Sequence, residues 1–379
     1  MKIMIIGGGI GGLTTAVSLR HFGFEPHVYE SASEIRPVGK GIWLPTNAML
    51  VMERLGLADT LADQGVPLDA IQLEDKSGTV LQTIDLQQVR QRFGRTTTSI
   101  MRADLQASLA AALPPDSIHL NKRCVSVTQD ADRVTVQFDD ETAVSADLVI
   151  GADGIRSNVR EAVQPNVPLR YAGQTCYLGI AAMNMPHTHR QTVREIWGGD
   201  LRFGYSAVGP NKIYWFAPQT APASGQPAPK MQTLLAQQYA DFPDPVAEII
   251  RHTAEADIMR VDLNDFAPLP TWHSGRVLLL GDADHAMTPN LGQGGAQAIE
   301  DGLALAQFLS QSASMPAALE QFVALRQPKT SRIVKTAWRF GQIAHLRQPL
   351  LRQLRNLAFR LTPHRIKQQQ VEAIYQLNF

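Results

Sequence analysis

The first twelve residues constrain this chain more than any other stretch. Ile3 to Ile6 is a short apolar run that reads as a buried parallel strand, and it leads directly into Gly7-x-Gly9-x-x-Gly12. An apolar-periodic segment follows, with Leu13, Ala16, Val17, Leu19 and Phe22 at helical spacing. Gly7 permits a tight turn, Gly9 lets the backbone approach a pyrophosphate, and Gly12 lets helix and strand pack closely. The helix N-terminus adds free N–H groups and a partial positive charge for the phosphates. Pro26 to Tyr29 reads as a second strand ending at Glu30, an acid placed to accept a ribose hydroxyl and to disfavour a 2′-phosphate. Strand, glycines, helix, strand and acid in this order predict a bound dinucleotide rather than an empty turn.

At 379 residues and 44% hydrophobic content, the chain has enough apolar surface for two intimately joined domains. A strand starting at Lys2 leaves no room for a signal peptide, and no apolar run approaches the ~20 residues of a membrane span. Cys124 and Cys176 form no C-x-x-C pair. Thiol–disulfide exchange is therefore not expected, and a reduced, cytoplasmic setting is.

The formal net charge of zero hides a segregation, for eleven Lys and Arg and no Asp or Glu stand between Gln321 and Gln370. Arg326, Lys329, Arg332, Lys335 and Arg339 recur at helical spacing beside Ile333, Val334 and Ala337. Arg352, Arg355 and Arg360 repeat the pattern beside Leu351, Leu354, Leu357 and Leu361. Such a segment suits an anionic membrane or an acidic partner. It equally suits two helices with an apolar stripe packed on the body and a basic face in water. The second reading is the expectation here, so neither peripheral membrane attachment nor nucleic-acid binding is expected; no recognition fold accompanies the charge.

The loop from Arg36 to Pro45 is too rich in glycine and proline for a helix, and helices are predicted over Asn47–Leu55 and from Arg102 to Leu113, where Pro114 stops the second. Alternation at Val125, Val127, Val134, Val136 and Phe138, then the run Leu148 to Ile150, predicts a small meander that returns to the dinucleotide domain. From about 165 to 268 the texture is β-rich and aromatic, interrupted by a loop from Pro218 to Pro229. An inserted antiparallel sheet is expected there, with most of its aromatics in an ordinary core. The strand Arg276 to Leu280 leads back to the dinucleotide domain.

Two further motifs follow buried strands. One is Asp153-Gly154-Ile155-Arg156-Ser157-Asn158-Val159-Arg160. The other runs from Gly281-Asp282 through Pro289, Gly292, Gly294 and Gly295 to Glu300-Asp301-Gly302 and opens a helix at Gly294. Asp282 stands where a polyol chain can donate to it. The glycines leave N–H groups free at a helix N-terminus, which would stabilise negative charge gathering on a reduced flavin ring.

The three motifs, in this order and spacing, resemble the FAD-dependent aromatic hydroxylases, the single-component group A flavoprotein monooxygenases. That family includes 4-hydroxybenzoate, salicylate and urate hydroxylases, zeaxanthin epoxidases and tetracycline-inactivating enzymes. The resemblance covers nearly the whole chain. It implies an α/β fold: a Rossmann-like FAD-binding domain (1–70, 96–165 and 269–325), an inserted antiparallel β-sheet substrate domain (71–95 and 166–268) and a C-terminal helical segment (326–379). Carried over by position, Glu30 would bind the adenosine ribose and Arg102 would sit beside the pyrophosphate and ribityl chain. Asp153 and Arg160 would organise the place where FAD and the nicotinamide nucleotide meet. Asp282 would hold the ribityl hydroxyls, and Pro289 to Gly295 would line the pyrimidine and C4a side of the ring. Gly7, Gly9, Ile10, Gly11, Gly12, Ser31, Gly41, Val125, Gly154, Gly292 and Gly294 complete the expected cofactor contacts.

The chain departs from the family at Lys40, where a small residue is usual, and at Asp284. Lys40 would add a phosphate or flavin contact. Asp282, Asp284 and His285 are not expected to form a metal site, because ligands on one strand-end loop diverge; His285 is expected to be a satisfied hydrogen-bonding residue. Trp197-Gly-Gly-Asp-Leu-Arg202 and Lys212-Ile-Tyr214 resemble the urate-hydroxylase branch. They would put Arg202 and Tyr214 in the substrate pocket opposite Pro289, with a surface strand residue and a core aromatic as the plain alternatives.

The activity implied is hydroxylation of a small aromatic or heteroaromatic molecule: NADH or NADPH reduces FAD as a transient co-substrate, O2 adds at C4a, and the resulting C4a-hydroperoxyflavin transfers one oxygen atom. A single dinucleotide fingerprint implies no separate nicotinamide domain. The alternatives are an epoxidase or hydroxylase of a larger polyene or polycyclic substrate, and a non-oxygenating FAD dehydrogenase. A monomer or homodimer is expected.

Overall fold

The computed structural model describes residues 1–35, 39–186, 189–225 and 229–379, with the side chain of His364 outside the description. The Arg36–Pro45 loop is thus described only from Gly39 onward.

The all-apolar strand Ile3–Ile6 lies in the middle of a six-stranded sheet of order His273–Ser274, Val277–Leu279, Leu148–Gly151, Ile3–Ile6, Pro26–Tyr29, Ile118–His119. All neighbours are parallel except the His273–Ser274 edge. Strands buried on both faces read as continuous apolar runs, which explains why Ile3–Ile6 and Leu148–Ile150 were visible in the sequence. The helix Ile10–His21 follows the first strand, and the helix Gly294–Gln311 packs beside it. They approach closely at Gly302, where a Cβ would stand 3.0 Å from the Thr15 backbone. The meander Cys124–Gln129, Val134–Phe138, Ala143–Ala146 forms a separate three-stranded sheet.

The second large sheet has seven strands, ordered Met259–Asp265, Arg170–Ala181, Lys212–Thr220, Arg202–Gly209, Thr192–Trp197, Ala70–Asp75, Val80–Asp85. One face carries Phe203, Tyr205 and Trp215, fully buried against the helices Met231–Gln238 and Val246–Arg251. Phe203 and Trp215 stack there with centroids 5.4 Å apart. Those two helices were not read from the sequence, being only 8 and 6 residues long. Pro218 lies inside the strand Lys212–Thr220 rather than opening a loop. It pairs with Cys176 on one side, while the continuous ladder to the strand Arg202–Gly209 has already ended at Phe216, with the isolated bridge Leu201–Gln219 beyond it.

Three helices close the chain: Met315–Ala344, Pro349–Leu361 and His364–Tyr375. Here the expected partition of apolar and basic faces needs correcting. On the long helix Ile333, Val334 and Ala337 are buried as expected, but so are Arg326 and Lys329, drawn inward by buried acids. On Pro349–Leu361 the faces are reversed. Leu351, Leu354, Leu357 and Leu361 are exposed, whereas Arg355 is buried, its guanidinium 4.7 Å from the Trp197 ring centroid. Arg355 also donates to the carbonyls of Ile343 and Ala344, and Phe359 packs edge-on to Trp197. Those contacts fix the inward face and leave the leucines outward. Among the described residues no helix is long and apolar enough to cross a membrane.

Candidate functional site

The glycine turn bears out its sequence logic geometrically. Gly7 has φ +109°, and a Cβ there would collide with the Ala152 carbonyl; above Gly9 there is open space. A cavity of about 290 Å³ opens beside this turn, lined by Gly7, Gly9, Glu30, Ser31, Asp153 and Gly154, with Lys122, Arg123 and Arg156 as cations. Glu30 accepts from the Gly8 N–H at 2.7 Å and the Ala32 N–H at 2.8 Å, which holds the turn and leaves lone pairs for a further donor. Val125 points away, its side chain exposed, and Cys124 takes its place on the wall. In an antiparallel strand neighbours face opposite ways, so the Cys124 side chain and not that of Val125 faces this cavity.

Asp153 faces this cavity yet is itself a structural hub. Its carboxylate accepts from Ser157 Oγ and from the N–H groups of Asn158 and Val159; burial pushes its pKa up against those bonds. Arg160 is buried. It donates to the carbonyls of Ala283 and Ile155 and stacks 4.8 Å over Phe266. The motif thus ties the strand end after Gly151 to the loop after Gly281.

A second cavity, of about 260 Å³, lies between that loop and the aromatic sheet. Gly41, Arg102, Asp282, Pro289, Gly292, Gly294 and Gly295 line one side, and Cys176, Arg202, Tyr214 and Phe216 the other. Gln293 caps the helix Gly294–Gln311, so its first N–H groups face this space. Arg102 begins its own helix, and its Nε is buried with no hydrogen-bond partner. Asp282 is exposed to the cavity. The Lys40 ammonium is paired with Asp257 at 3.0 Å. Ile10, Gly11 and Gly12 lie in the first helix, where Gly11 faces Ala298 of the neighbouring helix.

Arg202 is on the cavity wall but only 1% exposed, and its charge is already answered. Nε and one terminal nitrogen donate to Glu195, the other terminal nitrogen donates to Asn290 Oδ1 at 2.6 Å, and the guanidinium lies 5.6 Å from Trp197. It therefore tethers the Pro289–Leu291 turn to the sheet, its charge balanced by Glu195. Tyr214 lies on the face opposite Trp215, toward the cavity; its apolar setting pushes its hydroxyl well above the ordinary phenol pKa, so it stays protonated near neutrality.

Sequence reasoning missed Trp43, Phe216 and Glu195 as wall residues. Trp43 sits in the strand Gly41–Leu44 and donates to Ser206 Oγ at 2.9 Å. It also missed a buried polar cluster beneath the site. Arg326 bonds Glu300 and Asp301, Lys329 and Asn47 bond Glu300, and His285 Nε2 meets Asp301 at 2.6 Å. Burial raises Asp301, but His285 and Arg326 outweigh it and hold its pKa low. Asp284 carries two buried, unpartnered oxygens, and burial, reinforced by Asp301, pushes its pKa far up.

A third cavity, also about 260 Å³, continues from the second. Trp43, Arg202, Phe216, Pro289, Asn290, Gly292 and Gln293 belong to both. Its far end is lined by Ile71, Leu73 and Ile84 of the sheet, Phe340 and Phe359 of the C-terminal helices, and Val371 and Ile374 of the last.

These features fit FAD: open space over a glycine turn, a carboxylate at the second strand end, an arginine with a buried, unpartnered Nε and a helix N-terminus at the second cavity. Residues 1–337 match the model of the family described as FAD binding domain. The chain is 35% identical over 343 residues to aurachin C monooxygenase/isomerase of Stigmatella aurantiaca, covering 90% of this chain and 89% of the relative. It is 33% identical over 373 residues to 2-heptyl-3-hydroxy-4(1H)-quinolone synthase of Pseudomonas aeruginosa, covering 96% and 95%. The crystal structure of Klebsiella pneumoniae HpxO complexed with FAD and uric acid superposes with a TM-score of 0.91 at 30% identity, over 99% of this chain and 96% of that one. The chain belongs to the FAD-dependent aromatic hydroxylases and is an FAD-binding monooxygenase.

Proposed function

We propose that the enzyme hydroxylates a flat heteroaromatic ring carrying an apolar substituent, consuming NADH or NADPH and O2 and releasing water. The observation that carries this reading is the continuity of the two cavities through Trp43, Phe216 and Pro289. A ring fits the part beside Tyr214, and a chain fits the apolar part beyond. The relative named for 2-heptyl-3-hydroxy-4(1H)-quinolone, a ring bearing a seven-carbon chain, supports it.

When bound, FAD supplies the redox chemistry that splits O2 between product and water. Glu30 and Arg102 would hold its adenosine and pyrophosphate parts, and Asp282 its polyol. The N–H groups at Gly294 and Gly295 favour negative charge on whatever ring edge faces them. Trp43, Tyr214 and Phe216 exclude water around the substrate ring. Arg202, fixed by Glu195, positions the Pro289 turn. In this division residues 71–95 and 166–268 serve the substrate, and Asp153 and Arg160 act by holding the loops together.

The test is NAD(P)H oxidation by the FAD-loaded enzyme in the presence of 2-alkyl-4-quinolones, purines and hydroxybenzoates, with product analysed under ¹⁸O2. One labelled oxygen in an alkylquinolone product is expected. Oxidised product without label would assign a dehydrogenase instead. Stimulation by purines alone would remove the apolar substituent from the proposal.

A further inference from the structure

The helix Pro349–Leu361 turns its apolar face outward. Leu350, Leu351, Leu354, Leu357 and Leu361 are 68, 41, 54, 51 and 70% exposed. At 3.6 residues per turn they span about 120° of the helix circumference, one continuous stripe. Ile343 before the helix and Ile366 after it are exposed as well, at 44 and 45%. Scattered exposed leucines need no explanation, but a contiguous stripe on one helix marks a surface that is covered in use.

Charge identifies what covers it. The segment from Gln321 to Gln370 holds eleven cations and no acid. Arg326 and Lys329 are consumed by buried acids, and Arg355 is buried. Arg332, Lys335, Arg339, Arg352 and Arg365 have no acidic partner among the described residues. A second copy seated here by two-fold symmetry would press two such cationic segments together, which disfavours a dimer through this face. An anionic bilayer answers both the leucines and the cations.

We propose that Pro349–Leu361 is an interfacial anchor that lays its leucines into the surface of an anionic membrane. The helix's opposite side bears Phe359, which lines the apolar cavity. The anchor therefore places the wall of that cavity beside the bilayer, where apolar molecules concentrate. The attachment does not depend on the substrate reading, since vesicle binding is measured without turnover.

The experiment is flotation of the FAD-loaded full chain with vesicles of phosphatidylcholine alone, or of equal parts phosphatidylcholine and phosphatidylglycerol, at ~0.15 M salt. Wild type is expected to float with the anionic vesicles and far less with the neutral ones. Leu354→Glu/Leu357→Glu alters two exposed side chains, so FAD absorbance and the circular dichroism spectrum should be unchanged. Its partition should fall by about a hundredfold or more. Wild type remaining at the bottom with anionic vesicles, or the double variant floating as well as wild type, would overturn the proposal. So would a dimer in solution that the double variant dissociates, which would assign the face to a second copy.

Discussion

Between Trp197 and Asn290, the Arg202 guanidinium uses all three nitrogens inside the protein, two on Glu195 and one on Asn290. Arg202→Ala leaves the Glu195 carboxylate without its cation in a largely buried site, with the Trp197 Nε1–H still donating to it, so urea unfolding should show a loss of about 3 kcal/mol. FAD affinity should be unchanged while KM rises, because the Pro289 turn loses its tether. Arg202→Lys keeps the charge but cannot span both partners, and should restore stability better than KM. A variant in which KM is unchanged would leave Arg202 a purely structural residue. Across the cavity, Arg102→Ala and Glu30→Ala should each weaken FAD by roughly 1.5–3 kcal/mol in a fluorescence titration; unchanged affinity in both would misplace the cofactor. The resemblance was enough to direct Arg202 and Tyr214 toward the cavity whose wall holds both. It was not enough to reveal Glu195, because which residue stands beside Arg202 depends on pairing with the strand Thr192–Trp197, and register is not written in either strand alone.

The joint between the long helix and the leucine helix is built on His345. Its Nδ1 lies 3.0 Å from the Gly341 carbonyl, and burial, reinforced by Arg202, holds its pKa down at about 4. The unfolded chain protonates this ring below about pH 6.5, the folded chain only near 4. Its contribution is therefore complete above about pH 6.5 and is lost as pH falls toward 4, by up to about 3 kcal/mol. Urea midpoints near pH 7.5 and pH 5 should diverge more for wild type than for His345→Gln; equal divergence would show that other groups set the acid limit. The helix pair Gly294–Gln311 and Met315–Ala344 is joined by Arg326 between Glu300 and Asp301. Arg326→Met should cost about 3–5 kcal/mol in thermal unfolding, since it leaves two carboxylates buried with Lys329 the one remaining permanent cation beside Asn47, Gln297 and His285. A loss below about 1 kcal/mol would mean the acids are solvated. Both halves of this cluster were visible, Glu300-Asp301 in a motif and Arg326 in a basic run. A helical period cannot distinguish a solvated cation from one drawn inward, so the basic face was misread, and with it the leucine stripe.

For the molecule as a whole, the cofactor cavity runs between the parallel sheet with its motif loops and the seven-stranded sheet, and among the described residues the side-chain ties across it include Arg202 to Asn290, Lys40 to Asp257, and Trp43 and Ser99 to Ser206. Removing FAD should thus leave a less stable protein. At a hundredfold excess over Kd the cofactor should stabilise by about 2.7 kcal/mol, seen as a Tm that climbs with FAD concentration. A Tm indifferent to FAD would contradict binding to the folded state. The parallel sheet and its glycine turn were legible because a doubly covered sheet writes itself as unbroken apolar runs. The third cavity was not legible at all, being assembled from residues as distant as Ile71 and Ile374. Its shared wall with the second cavity has a geometric consequence. A molecule filling both is held at its ring and at its tail, so the span between the two, rather than the ring's own reactivity, selects which carbon is presented. In a homologous series of alkyl chains, this predicts that the enzyme changes the isomer it makes before it changes its rate.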